Sequence, residues 1–170
     1  KAELASILGT WQSTLTNFPY LRKVWQRNTE EERLLGCSMT GALDNKLLNN
    51  PDDPDLPDRL ETLKNAVIVQ NEIIAAEIGI NPSVATTAIK PEGTTSQLTD
   101  SASGLHTRHS KYYIRRVRGD IKDPLTYFMI NAGVPVEPCV MKPDSTVVFS
   151  FPIKAPEGAL TRDDLNAIQH

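Results

Sequence analysis

Hydrophobic residues follow helical spacing most clearly between residues 58 and 79. Apolar side chains there recur three, four or seven positions apart and predict one stripe on a long helix: Leu60, Leu63, Val67, Ile74 and Ile78. Asp58 with Glu61 is typical of a helix N-terminus, and Gly79 is typical of the residue that ends a helix. We therefore expect the longest helix of the chain here, with its stripe in the hydrophobic core.

Other stretches have helical spacing or helix end signals. They are residues 1–8, ended by Gly9; a stretch after Pro19, with the acidic run 30–32 as its solvated end or a turn; residues 123–130, opened by Asp123-Pro124; and a start at Thr161 with Asp164.

Stretches rich in small and β-branched residues predict strands at 33–41, 84–89, 112–118 and 146–151. Gly41 would close the first strand, and Pro152 the last. The order strand, long helix, strand over residues 33–89 predicts a parallel unit with a right-handed crossover. The predicted fold class is therefore α/β, built from parallel strand–helix units.

The candidate chemistry lies directly after the 84–89 strand. Pro91 cannot pair in a strand ladder and Gly93 accepts backbone angles closed to other residues, so a turn is expected here. Thr94 and Gln97 form a Thr-x-x-Gln capping box, which predicts a helix start. The unpaired amides of a helix start favour a phosphate. An ordinary, well-capped strand-to-helix connection fits the same pattern, and neither common Gly-rich phosphate-binding spacing occurs.

Residues 112–118 alternate in a way that puts arginines on both faces of the predicted strand. Arg116 and Arg118 share a face with Tyr112 and Ile114, and Arg115 lies on the other. Guanidinium groups match carboxylates and phosphates equally well. These arginines therefore either pair with carboxylates or bind an anion, and Arg116 and Arg118 are candidate accessory anion contacts.

The histidines and cysteines give weaker signals. His106 and His109 have a metal-ligand spacing without an evident third ligand, so hydrogen-bonding or surface roles are favoured over a metal. Cys37 lies within a predicted strand and is favoured as a small buried residue over a catalytic thiol. Cys139 is far from it, so two reduced thiols are expected.

Composition and charge restrict the class of protein. The 170 residues suffice for one domain, and a net charge of −3 argues against a nucleic-acid or membrane-surface binder. No apolar run approaches the length of about 20 residues that spans a bilayer, and no targeting signal is evident. We expect a cytoplasmic protein and, since the sequence does not begin with Met, a piece of a longer one.

Seven stretches together carry a family resemblance: 10–14, 20–23, 31–41, 90–98 (Lys-Pro-Glu-Gly-Thr-Thr-Ser-Gln-Leu), 100–106, 112–118 (Tyr-Tyr-Ile-Arg-Arg-Val-Arg) and 142–149. They resemble the C-terminal barrel region of ribonucleotide reductases, of the adenosylcobalamin-dependent (class II) ribonucleoside-triphosphate reductase type. The resemblance covers nearly the whole chain, and the joined motifs are far more specific than the loop alone.

The resemblance implies a ten-stranded α/β barrel, of which residues 1–170 form the C-terminal part as a single domain. It implies that six loop residues bind the substrate's phosphates through amides and hydroxyls: Pro91, Glu92, Gly93, Thr94, Thr95 and Ser96. The implied parent enzyme converts ribonucleoside triphosphates or diphosphates to deoxyribonucleotides by thiyl-radical chemistry. Its implied cofactor is adenosylcobalamin, and its implied partners are the ribonucleotide, the rest of the reductase chain and an external dithiol reductant such as thioredoxin.

The catalytic parts of that family have no match here. The thiyl-forming cysteine in an Asn-x-Cys-x-Glu setting and the reducing cysteine pair do not occur, and Cys37 and Cys139 match neither. Tyr112 and Tyr113 differ in their flanks from the radical-relay pair of two-subunit reductases. No catalytic, metal-ligating or cobalamin-binding residue is therefore assigned to this chain.

Two other functions fit the same residues. One is a non-catalytic α/β module that binds a nucleotide or a partner protein. The other is a purely structural piece whose apolar face needs strands from elsewhere, which predicts self-association of the isolated chain through unpaired strand edges.

Overall fold

The computed structural model describes residues 1–90 and 92–169. Its helices are α1 (Ala2–Gln12), α2 (Lys23–Glu32), α3 (Leu56–Ile78), α4 (Thr95–Leu98) and α5 (Pro124–Asn131), and its strands are β1 (Tyr112–Asp120), β2 (Val136–Pro138) and β3 (Thr146–Lys154). A 3₁₀ turn covers Ala42–Asp44.

The long helix is confirmed as α3, with one change at its start. Gly79 ends it with a left-handed φ of 72°, as predicted. The helix begins at Leu56, however, so Asp58 lies inside the first turn and the predicted cap is wrong. Pro57 explains the earlier start, because its fixed φ and missing N–H suit the first turn of a helix.

The apolar stripe of α3 is buried only at its middle. Val67 and Ile74 are 5% and 9% exposed, whereas Leu60, Leu63 and Ile78 are 39%, 37% and 41% exposed. The helix that packs on α3 is α1, which has 11 residues against 23. At about 1.5 Å per residue, α1 is too short to cover the whole stripe.

Gly9 does not end α1, contrary to the prediction. The helix runs through Gly9 to Gln12, and an added Cβ at Gly9 would lie 3.4 Å from Leu35 Cδ1. The glycine therefore permits close packing of Leu35 on the helix rather than a helix end. The second predicted helix is confirmed as α2, which ends in the acidic run at Glu32.

Buried polar side chains join α1 to α3. Ser6, Thr10 and Asn71 are each at most 1% exposed. Asn71 Nδ2 donates to the Thr10 hydroxyl (2.8 Å) and to the Ser83 hydroxyl (3.0 Å), and Asn71 Oδ1 accepts the Ser83 amide (2.8 Å). Because Ser83 leads into residues 84–89, these bonds fix where that segment leaves the helix pair.

Replacing Asn71 by alanine is expected to lower the free energy of unfolding by about 2–4 kcal/mol, because it leaves buried partners unpaired and opens a cavity. Urea denaturation followed by circular dichroism measures this. Asn65 is exposed on the same helix, so Asn65→Ala is the matched control and should change stability by no more than about 0.5 kcal/mol. Equal losses in the two variants would contradict a structural role for the Asn71 bonds.

The predicted strands 33–41 and 84–89 are parallel neighbours, but short ones. They share one bridge, Cys37 with Thr87, in which the Cys37 amide donates to Thr86 (3.0 Å) and the Ala88 amide to Cys37 (3.1 Å). The Lys90 amide then faces the Ser38 hydroxyl (3.4 Å) instead of a carbonyl, which ends the ladder. The parallel pairing predicted across α3 is thus present, though not as full strands.

The described sheet is antiparallel, which corrects the prediction of parallel strand–helix units throughout. Its order is β1-β3-β2, with Tyr112 opposite Lys154 and Val136 opposite Phe149. The fold is therefore mixed α/β with a small antiparallel sheet, and the described residues do not form a closed barrel.

Pro152 does not close the last strand, because β3 continues to Lys154. The Ile121 amide donates to the Ser145 carbonyl and the Ala155 amide to the Lys111 carbonyl, so the odd-numbered residues of β3 direct their amides toward β1. The nitrogen of Pro152 therefore points away from β1, toward the side where β2 pairs only as far as Phe149. A missing N–H costs nothing at such an edge position.

Helix α5 begins as predicted, with the Asp123 side chain accepting the Leu125 amide (2.8 Å). It packs against β1 at Gly119, where an added Cβ would overlap the Thr126 hydroxyl. The helix predicted at Thr161 is wrong: Asp164 accepts the Thr161 amide (2.6 Å) and hydroxyl (2.7 Å), but this closes a turn only. Across the described chain, no helix has both the length and the apolar character needed to cross a bilayer.

Candidate phosphate-binding loop

The loop leads from the parallel segment 84–88 into one short turn of helix, α4, of four residues. The predicted capping box is wrong. Within the described chain the Thr94 side chain caps no amide, and Gln97 Nε2 donates instead to the Ser96 hydroxyl (3.1 Å). So short a helix has little macrodipole, and anion binding here would depend on individual amides and hydroxyls.

Four consecutive loop amides have no acceptor among residues 1–90 and 92–169: those of Gly93, Thr94, Thr95 and Ser96. The Glu92 amide, in contrast, donates to the Ser103 hydroxyl (3.2 Å). That hydroxyl in turn donates to the Glu92 carbonyl. Both the amide and the carbonyl of Glu92 are therefore hydrogen-bonded to Ser103, whereas the amides of the next four residues have no described acceptor.

The predicted site residues differ in exposure, and Glu92 is half-buried. Gly93, Thr94 and Thr95 are exposed, and Ser96 is fully buried. An added Cβ at Gly93 would meet no described atom within 4 Å, so the space in front of that residue is open. Pro91 lies outside the described residues.

Sequence reasoning missed a buried ion pair that contacts the segment directly after α4. Arg108 is buried and forms an ion pair with Asp44 (Nη2–Oδ2 2.8 Å), and the Ala102 amide donates to the same Asp44 oxygen (2.7 Å). Burial alone would lower the pKa of Arg108, but hydrogen bonds to Asp44 and Tyr113 raise it above its usual value. No spacing signal connects Asp44 to Arg108, because they are 64 positions apart.

Close backbone packing supports the loop on its other side. Gly104 has a φ of 55°, and an added Cβ would lie 2.7 Å from the carbonyl oxygen of Lys90. Gly41 has a φ of 69°, and its added Cβ would lie 2.8 Å from Ser101 Cβ. Only glycine accepts both conditions without strain.

Arg116 and Arg118 lie on β1, where each has a partner within the chain. Arg116 forms an ion pair with Glu137, and Arg118 interacts with the Cys139 thiol. Of the two predicted roles, pairing with a carboxylate is therefore the one that Arg116 has in this structure. On the opposite face, the buried Nε of Arg115 has no hydrogen-bond partner among the described residues.

The two cysteines have different surroundings. Burial raises the pKa of Cys37, whose thiol is half-buried. Cys139 is buried, and hydrogen bonds from the Met141 and Lys142 amides, then from Arg118, lower its pKa.

The two histidines at 106 and 109 do not converge on a metal site. His106 Nδ1 lies 2.9 Å from the Ser103 carbonyl, and His109 packs edge-on against the Tyr113 ring. Among the residues that the structure describes, no three His, Cys, Asp or Glu side chains group in a way that could hold a metal ion.

Several curated proteins that match this chain carry the same name. The chain is 31% identical over 144 residues to an adenosylcobalamin-dependent ribonucleoside-triphosphate reductase of Euglena gracilis, across 83% of this chain and 20% of the relative. A protein of the same name from Lactobacillus gasseri is 27% identical across 90% of this chain and 24% of the relative. This chain is homologous to the adenosylcobalamin-dependent ribonucleoside-triphosphate reductases. It spans about a fifth to a quarter of their length.

The fold comparison agrees. The structure superposes on the crystal structure of a B12-dependent (class II) ribonucleotide reductase with a TM-score of 0.73, over 98% of this chain and 26% of that one. Sequence identity is 23% over this match, so it shows the fold alone. No family model matches the chain. The family resemblance predicted from the motifs is thus confirmed.

Proposed function

We propose that this chain is the C-terminal part of the catalytic barrel of an adenosylcobalamin-dependent ribonucleotide reductase. The parent would convert ribonucleoside triphosphates, or diphosphates, to deoxyribonucleotides by thiyl-radical chemistry, with the cytoplasm as its proposed compartment. Residues 1–170 form one domain in this proposal and supply the phosphate-binding loop, while the catalytic cysteines belong to the rest of the chain. The observation that carries the proposal is the run of four amides, Gly93 to Ser96, without a described acceptor.

The loop would bind the phosphate tail through its exposed members. The amides and hydroxyls of Thr94 and Thr95 lie beside the open space at Gly93. Ser96 is buried and bonds to Gln97, so its side chain would fix the turn and only its amide would face the anion. Such contacts are charge-assisted hydrogen bonds, which are about twice as strong as neutral ones.

Glu92 and the arginines have supporting places in this proposal. The backbone of Glu92 is bonded to Ser103, and we expect its carboxylate to point away from the anion, since like charges repel. That Arg116 and Arg118 contact the anion stays a prediction. Binding there would require each to leave its present partner, Glu137 or Cys139.

The cofactor and the other partners are assigned to the parent enzyme. The corrin of adenosylcobalamin carries amide side chains around its rim, and a cavity of about 720 Å³ in this chain is lined by charged and apolar residues alike, among them Lys111, Lys154 and Ala155. Nothing in that lining is specific to cobalamin, so no cobalamin-binding residue is assigned here. The proposed partners are the ribonucleotide, the remainder of the reductase chain and a dithiol reductant such as thioredoxin.

Removing the two loop hydroxyls tests the proposal. In the full-length protein, Thr94→Ala/Thr95→Ala is expected to weaken ribonucleoside triphosphate binding at least tenfold, since a hydrogen bond to a charged group contributes roughly 1.5–3 kcal/mol. Affinity for the unphosphorylated nucleoside should not change. Isothermal titration calorimetry with the two ligands measures both.

Thr94→Ser/Thr95→Ser keeps the hydroxyls and is the matched control. It should bind the triphosphate with the same affinity as the protein without substitutions. Equal losses for nucleotide and nucleoside would show that the loop does not contact phosphate. Saturable and specific nucleotide binding by the 170-residue chain alone would favour the non-catalytic binding module instead.

A further inference from the structure

The most constrained charged group near the loop is the Arg108–Asp44 ion pair. The Arg108 side chain is 4% exposed and that of Asp44 is 11% exposed. The guanidinium contacts both carboxylate oxygens, with Nε 3.1 Å from each and Nη2 2.8 Å from Oδ2. This two-sided contact fixes the orientation of both side chains.

Both members of the pair also form hydrogen bonds with the backbone of residues 100–102, which follow α4. Arg108 Nη2 also donates to the Asp100 carbonyl (2.7 Å), and Asp44 Oδ2 accepts the Ala102 amide (2.7 Å). The Ala102 carbonyl accepts the Gly41 amide (2.8 Å). Residues 100–102 are therefore held on both sides of the backbone.

Asp100 needs this support. It has a φ of 46°, one of two positive values among the described non-glycine residues. The left-handed conformation is unfavourable for a residue with a Cβ, and it persists where surrounding contacts enforce it. Arg108 supplies such a contact at the Asp100 carbonyl and lies 3.7 Å from its carboxylate.

The segment held in this way contacts the start of the loop. Ser103 follows Ala102 directly and is bonded to both the amide and the carbonyl of Glu92. Gly104 packs against the Lys90 carbonyl. A shift of residues 100–102 would therefore be transmitted to Lys90 and Glu92, and from Glu92 to the amides at 93–96.

We propose that Arg108 and Asp44 are positioning residues for substrate binding, which set the place of the loop amides without touching the nucleotide. This inference rests on the proposed phosphate-binding function of the loop. Neither side chain needs to reach the ligand, because Arg108 is fully occupied by Asp44, Asp100 and Tyr113 (Nη1–Oη 3.3 Å). The pair acts through backbone geometry.

The test is kinetic, in the full-length enzyme. Asp44→Asn keeps the shape but removes the charge, and Arg108→Lys keeps the charge but removes the fork. Each is expected to raise KM for the ribonucleotide about tenfold, because displaced loop contacts weaken binding, while kcat stays within about twofold. Asp53→Asn is the matched control, because Asp53 forms an ion pair with Arg59 (2.6 Å) that has no described contact to the loop.

A double-mutant cycle separates positioning from general stability. Asp44→Asn is combined with Thr94→Ala/Thr95→Ala. If the pair acts through the loop, the combined rise in KM is smaller than the product of the separate rises, whereas independent effects multiply. Hydrogen exchange of the full-length protein should also be faster at residues 93–104 in Asp44→Asn and unchanged in β1.

Three outcomes would overturn the inference: an unchanged KM in both variants, multiplicative effects in the cycle, or loss of folding in both variants. The last would make the pair a purely structural element. If Asp44→Asn has no effect while the double threonine variant still loses nucleotide affinity, only this inference falls. If the threonine variant has no effect either, the proposed function falls with it.

Discussion

Gly93→Val in the full-length protein is expected to raise KM for the proposed ribonucleotide substrate by about ten- to a hundredfold, because displacing the phosphate from one charge-assisted hydrogen bond costs roughly 1.5–3 kcal/mol of binding free energy. The valine side chain would occupy the space in front of the loop amides that have no acceptor among the described residues. The protein itself tolerates the change, since an added Cβ at Gly93 meets no described atom within 4 Å and its φ lies outside the glycine-only range. A loss of nucleotide binding would then result from a clash between the valine side chain and the nucleotide, and not from a change in the fold.

A graded series makes this result specific. Gly93→Ala should have a smaller effect than Gly93→Val, because it fills less of the same space. Leu98→Ala is the control, since Leu98 is 89% exposed at the end of α4 and is not among the proposed contacts. Steady-state kinetics on the three variants, with thermal denaturation of each, measures binding and stability separately. An unchanged KM in Gly93→Val would refute the assignment of the loop.

Gly104→Ala is expected to lower the free energy of unfolding by about 2–4 kcal/mol, from unfavourable φ and steric overlap together. Its φ is 55°, and the new Cβ would lie 2.7 Å from the Lys90 carbonyl oxygen. Backbone at this contact cannot rotate away as a side chain can. The carbonyl of Lys90 has to move, and with it the start of the loop, so KM for the nucleotide should rise as well.

Gly79→Ala separates the two causes. Gly79 has a similar φ of 72°, but within the described chain an added Cβ would meet nothing within 4 Å. That variant should lose only about 1–2 kcal/mol, the usual cost of a left-handed φ in a non-glycine residue, and its KM should equal that of the unchanged protein. Chemical denaturation gives the stabilities. Equal losses at both positions would show that the overlap with Lys90 relaxes without cost.

Local signals predicted those parts of the fold where neighbours in sequence decide the outcome. The α3 spacing and its Gly79 end, the Asp123 cap of α5 and the strand from Tyr112 follow from such signals. Predictions failed where distant packing intervened. Gly9 suits a helix end but allows Leu35 to pack closely, and Pro152 suits a strand end but lies where β3 has no second neighbour.

The sequence by itself determined the resemblance to adenosylcobalamin-dependent ribonucleotide reductases, through seven motifs along the chain, and it predicted a candidate loop at residues 91–96. It did so because these motifs are local and survive as strings of residues. Only the tertiary structure decided which loop amides have no acceptor among the described residues, that Ser96 is buried, and that Arg108 and Asp44, 64 positions apart, form an ion pair. Those properties depend on which distant backbone groups meet in the folded chain, and that meeting leaves no spacing pattern in the sequence.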